Sequence, residues 1–162
     1  MSLKEKFSKE LWEQVVQAPF VAGFAVTAAD PGGLIGAFQE SSAIAKSLRS
    51  AERSIAGEIL AELNSSEGRG LIKAGIKELI KGRSTVEASE AAVARLTDTM
   101  SLISRMAPSE FASMAALVRQ TANNVAEAAN EGGFMGFGGV PVSDAEKKTL
   151  TDIERAIEAA QA

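Results

Sequence analysis

The chain has 162 residues, with 17 Lys and Arg against 21 Asp and Glu, a formal net charge of -4, and no His, Cys or Tyr. That length supports a single core that buries roughly 70% of the surface of the unfolded chain. The missing residue types exclude a Ser-His-Asp triad, a Cys-His nucleophile, an imidazole general base, thiolate or imidazole zinc sites, His- or Cys-ligated haem and every disulfide. Function is left to carboxylates, amines, hydroxyls and backbone.

At the N-terminus Lys4, Lys6 and Lys9 are balanced by Glu5, Glu10 and Glu13, unlike the positive start of a secretory signal. The stretch 18–29 is uncharged and has the length of a signal core, but Pro19 and the many Ala and Gly residues speak against that reading. Pro31, Gly32 and Gly33 then interrupt the apolar run well short of the ~20 residues a transmembrane segment needs. The expectation is a buried helical hairpin, no transmembrane segment and a cytoplasmic protein.

Helix punctuation is frequent along the chain. Ser2-Leu3-Lys4-Glu5, Ser84-Thr85-Val86-Glu87 and Ser143-Asp144-Ala145-Glu146 fit the capping box, in which Ser and Glu satisfy each other's orphan amides. Pro31 and Pro108 suit a first helical turn, where the missing N–H costs nothing, and Gly82, Gly132 and Gly133 suit helix ends. Between these marks apolar residues recur at helical spacing, as in Leu3, Phe7, Leu11 and Val15 or Leu150, Ile153 and Ile157. No alternating strand pattern appears. The reading predicts helices over 3–18, 19–29, 31–63 with a break near Ser50, 66–81, 85–106, 108–131 and 144–160. Short linkers favour antiparallel neighbours. The predicted fold is all-α, a compact single-domain bundle of about six or seven helices over residues 1–162.

The strongest charge asymmetry lies in 69–83. Arg69, Lys73, Lys77 and Lys81 recur every four residues and Arg83 follows, so this segment carries +4 and the remainder -8. Leu71, Ile72, Ile76, Leu79 and Ile80 are expected to form the buried face of the same helix. Two readings stay open. One is a site for an anionic membrane surface, an acidic protein segment or a phosphate-bearing ligand; the other is a solvated outer face. No aromatic residue lies among these cations to stack on bases, so nucleic acid is not an expected partner.

A second candidate is the loop 132–142, with five Gly in its first eight positions and the apolar side chains Phe134, Met135, Phe137, Val140 and Val142. It lacks the preceding strand and following Lys of a phosphate loop. Gly133-Phe134-Met135-Gly136 matches the GXXG of an RNA clamp in form only, because no cation accompanies it. Two Phe side chains contribute about 3–6 kcal/mol on burial, against about 8–16 kcal/mol of backbone entropy for eight residues. The loop therefore either docks with all its apolar residues across the bundle end or presents them to a protein partner. Asp30 likewise reads as the cap of a helix beginning at Pro31, or as a lone carboxylate in a small apolar pocket.

A third candidate is metal-assisted catalysis by the pairs Glu10/Glu13 and Glu87/Glu90, since i, i+3 carboxylates share a helix face. Glu87 is already used by its capping box and Glu10/Glu13 sit beside lysines, so no metal or other cofactor is expected. Taken together, these features predict a non-enzymatic interaction or scaffold module, working by self-association or through a protein partner. The alternatives are an anionic-surface binder and a carboxylate-dependent metal enzyme.

Overall fold

The computed structural model describes residues 2–29, 47, 55–131 and 142–162. Among them a 3-10 turn over Leu3–Lys6 precedes α1 (Lys9–Ala29), α2 (Ile55–Leu63), α3 (Ser66–Ile80) and α4 (Thr85–Met106). A second 3-10 turn, Pro108–Glu110, leads into α5 (Phe111–Glu131), and α6 (Asp144–Gln161) closes the chain. No strand occurs among the described residues, and the expected all-α bundle is what forms.

The capping predictions locate the helix starts. Ser84 Oγ accepts from Glu87 N at 3.2 Å while Glu87 Oε2 accepts from Ser84 N at 2.8 Å. Ser143 and Glu146 repeat the exchange at 3.2 and 2.9 Å. At the N-terminus Glu5 Oε2 accepts from Ser2 N at 3.0 Å, but the helix so begun is only the 3-10 turn. The predicted helix over 3–18 therefore starts later. Ser8 opens it, its carbonyl accepting from Trp12 N at 2.9 Å.

The predicted boundary at Pro19 is also corrected, because α1 runs through it without interruption. A proline inside a helix removes one backbone bond and crowds the preceding turn, at a cost of about 3 kcal/mol. Burial on all sides offsets that cost. Val15, Val16, Ala18, Pro19, Val21, Ala22, Ala25 and Val26 are buried, since α1 packs against α3, α4, α5 and α6 together. A helix apolar all round is a central helix, and the stretch 18–29 lies on the axis of the bundle; the turn of the expected hairpin, at 30–33, lies outside the described residues.

Around α1, Leu96, Met100 and Ile103 of α4, Met114, Leu117 and Val118 of α5, and Ile153 and Ile157 of α6 complete one core. Ser89 at the start of α4 donates to the Ala25 carbonyl near the end of α1 at 2.7 Å, so these two helices run antiparallel. On the far side Arg119 of α5 holds both carboxylate oxygens of Glu154 on α6, at 2.8 and 2.9 Å. No described helix is long and apolar enough to cross a membrane. Of the predicted helix over 31–63, Ile55–Leu63 and the buried Ser47 are described; the Asp30/Pro31 start and the Ser50 break lie outside the described residues.

Candidate functional site

α3 starts at Ser65, whose hydroxyl accepts from Gly68 N at 2.9 Å. It ends at Lys81, and Gly82 follows with φ +70°, the left-handed conformation that terminates a helix cheaply. The helix lies on the outside of the bundle, against α1, α2 and α4.

Its contact line is made by glycine. A Cβ on Gly75 would stand 2.5–2.7 Å from the carboxamide of Gln17, and one on Gly68 would stand 2.0 Å from the Glu62 carbonyl oxygen. Backbone thus meets neighbour directly at both points. Gln17 Nε2 donates to the Leu71 carbonyl at 2.8 Å, and Arg95 of α4 donates to the Gly75 carbonyl at 3.3 Å. This close seating corrects the expected buried face. Only Gly68, Gly75 and Leu79 are buried, Leu71, Ile72 and Ile76 are partly covered, and Ile80 is 46% exposed. Glycines at the contact push the larger side chains to its flanks.

The predicted cations divide into two groups. Arg69 donates to the Leu63 carbonyl at 2.9 Å, pinning the α2–α3 turn, and Arg83 donates to the carbonyls of Glu78 and Leu79 at 3.1 and 3.2 Å, covering the end of α3. Lys73, Lys77 and Lys81 are exposed, and among the described residues their ammonium groups have no ion pair or hydrogen bond. Helical geometry advances about 40° per four residues, so this row occupies an arc of about 80° on the solvent side. The acids of α3 lie off that arc, with Glu78 paired to Arg95 at 3.2 Å and Glu67 facing the N-terminal segment.

Two cavities of about 270 Å³ lie elsewhere. The first, where α1 ends and α4 and α6 begin, is lined by Ala29, Val86, Val93 and Ala145 together with Glu90, Lys148 and Asp152. Asp152, 2.6 Å from Lys148, holds that ammonium above the ordinary lysine range. Ser89 and Thr149 also line it, but their hydroxyls are committed to the Ala25 and Ala145 carbonyls. The second cavity lies between the N-terminal segment, the start of α1, α2 and α3, with Phe7, Trp12 and Leu71 in its lining. Here Glu58 accepts from the Leu3 and Lys4 amides at 2.8 and 3.1 Å. Glu62 accepts from the Lys4 ammonium and, at 3.1 Å, from Trp12 Nε1, and the Lys4 bond is the main cause of its lowered pKa.

The four carboxylates considered for metal are not gathered. Glu13 lines the second cavity and Glu90 the first, Glu87 is in its capping box, and Glu10 is exposed at the start of α1, where its own amide and then Ser8 lower its pKa. No group of three or more metal-ligating side chains occurs among the described residues. Phe134, Met135, Phe137 and Val140 lie outside the described residues; of that loop only Val142 is described, and it packs against the core.

Comparison of the chain with protein-family models, with curated proteins and with solved structures finds no match in any of the three. The functional reading therefore stands on α3 and the two cavities.

Proposed function

We propose that this domain works by binding rather than catalysis, and that its binding surface is the outer face of α3, which takes an anionic partner. One observation carries the reading: Lys73, Lys77 and Lys81 stand together on an exposed arc with no partner among the described residues. The structural duties of the segment fall instead to Arg69 and Arg83. Three ammonium groups near an anionic surface contribute about 3 kcal/mol together, roughly a hundredfold in affinity. A cytoplasmic location belongs to the same proposal.

The test is binding to soluble polyglutamate, followed by fluorescence anisotropy of the labelled polyanion over a salt series. The reading expects binding that weakens steeply with salt and is lost when Lys73, Lys77 and Lys81 are all changed to Gln. Binding indifferent to salt, or retained by the triple variant, overturns it.

A further inference from the structure

Resting on that reading of α3, we infer that its anionic partner is the headgroup plane of an acidic lipid bilayer, with α3 lying along the surface and Ile80 entering the acyl boundary. The lysine face is the convex side of a helix, and Lys73, Lys77, Lys81, Ile72, Ile76 and Ile80 line neither of the two described cavities. A peptide helix would need a groove beside it. A plane of charge needs none.

Ile80 is 46% exposed, and on the helical wheel it falls between Arg69 and Lys73, with the partly covered Ile76 one turn earlier on the same edge. A face meant only for water or for a soluble polyanion gains nothing from an isoleucine there. An interfacial helix does, because it buries apolar side chains at the headgroup boundary while flanking lysines extend their ammonium groups to the phosphates. From Arg69 to Lys81 this mixed face is about 18 Å long, a span covering several headgroups.

A helix C-terminus carries partial negative charge and repels an anionic surface. Here Arg83 covers two of the last carbonyls and Lys81 stands beside it, so the end that carries Ile80 presents positive charge. The acids of α3 do not oppose the approach, since Glu78 is held by Arg95 and Glu67 faces the N-terminal cavity.

The experiment is co-sedimentation of the full chain with phosphatidylcholine vesicles, with and without phosphatidylserine, run beside the polyglutamate titration. Wild type is expected on the acidic vesicles and not on the neutral ones. Lys73, Lys77 and Lys81 changed together to Gln reduce that binding about a hundredfold. Ile80→Gln, an exposed change that leaves the fold intact, reduces vesicle binding severalfold and leaves polyglutamate binding unchanged. Binding to polyglutamate without binding to acidic vesicles overturns the bilayer and leaves an acidic protein surface as the partner. So does Ile80→Gln that sediments like wild type. Failure to bind either anion removes the underlying reading of α3 as well.

Discussion

The side chain of Gln17 lies over Gly75, donating to the Leu71 carbonyl at 2.8 Å in the space a Cβ on residue 75 would occupy. Through this contact α3 is seated on the central helix by backbone, and its outer face is turned to solvent. The seating predicts that the three glycines in α3 respond differently to alanine. A Cβ at Gly70 would have nothing within 4 Å, so Gly70→Ala gains helix propensity and stabilises by about 0.5–1 kcal/mol. Gly75→Ala has the same gain but must move Gln17 off its acceptor, a loss of about 1 kcal/mol, and ends near zero. Gly68→Ala would meet the backbone of Glu62 at 2.0 Å and destabilises by more than the other two, with a shift of the α2–α3 turn. Urea denaturation of the three variants checks the order. In a Gln17→Ala background Gly75→Ala should recover the gain seen at Gly70.

Glu62 ties three parts of the chain together, since it lies on α2 and accepts from Lys4 in the N-terminal segment and from Trp12 in α1. Its lowered carboxyl pKa and the raised ammonium pKa of Lys4 have the same cause, the bond between them. A depressed carboxylate contributes stability that is present above its unfolded value, about 4.3, and is lost as pH falls through the folded value. A raised lysine contributes stability that is present below about 10.4 and is lost as pH rises through its folded value. The N-terminal clamp is therefore expected to hold between these limits and to loosen outside them. Trp12 is the only tryptophan, so its emission reports the change directly. Glu62→Gln should remove most of the acid-side transition in tryptophan emission. An unchanged acid transition in that variant would place its origin elsewhere.

Pro19 shows where local signals stop being sufficient. Caps at Ser84 and Ser143 were legible because a capping box is settled by residues three apart, and α4 and α6 begin where those motifs stand. Whether a helix continues through a proline depends on what surrounds it, and for α1 that is four other helices brought in from the rest of the chain. The same limit explains why Pro19→Ala is expected to stabilise the fold. Losing the buried ring forfeits roughly 1–2 kcal/mol of packing, while alanine in a helix interior is about 3 kcal/mol better than proline. A net gain of about 1 kcal/mol in chemical denaturation is the expected outcome; destabilisation would show that α1 is shaped around the proline ring.

The candidate face was legible in its charges and not in its apolar residues. A four-residue repeat of cations fixes which side of a helix they share, so Lys73, Lys77 and Lys81 fall together as the spacing requires. The exposure of Ile80 depends instead on how closely α3 approaches α1 and α2, which is set by Gln17 against Gly75 and Glu62 against Gly68. The spacing of two glycines seven residues apart on one edge was the available signal for that approach. The two cavities had none, because each joins parts of the chain distant in sequence: the end of α1 with the starts of α4 and α6 in the first, and the N-terminal segment and α1 with α2 and α3 in the second.

The division of labour among the five cations of 69–83 gives a final prediction, independent of any partner. Among the described residues the ammonium groups of Lys73, Lys77 and Lys81 have no bond to lose, so changing all three to Gln should shift stability by no more than about 0.5 kcal/mol per site. Arg83→Ala removes the donor on the Glu78 and Leu79 carbonyls and exposes the negative end of α3, for a loss of about 0.3–1 kcal/mol. Arg69→Ala similarly frees the Leu63 carbonyl at the α2–α3 turn, at a cost of about 1 kcal/mol. Thermal denaturation of the triple lysine variant beside the two arginine variants checks the separation. A triple variant that loses more than about 1.5 kcal/mol would mean that the lysines stabilise the fold, and their loss could no longer be used as a clean measure of binding.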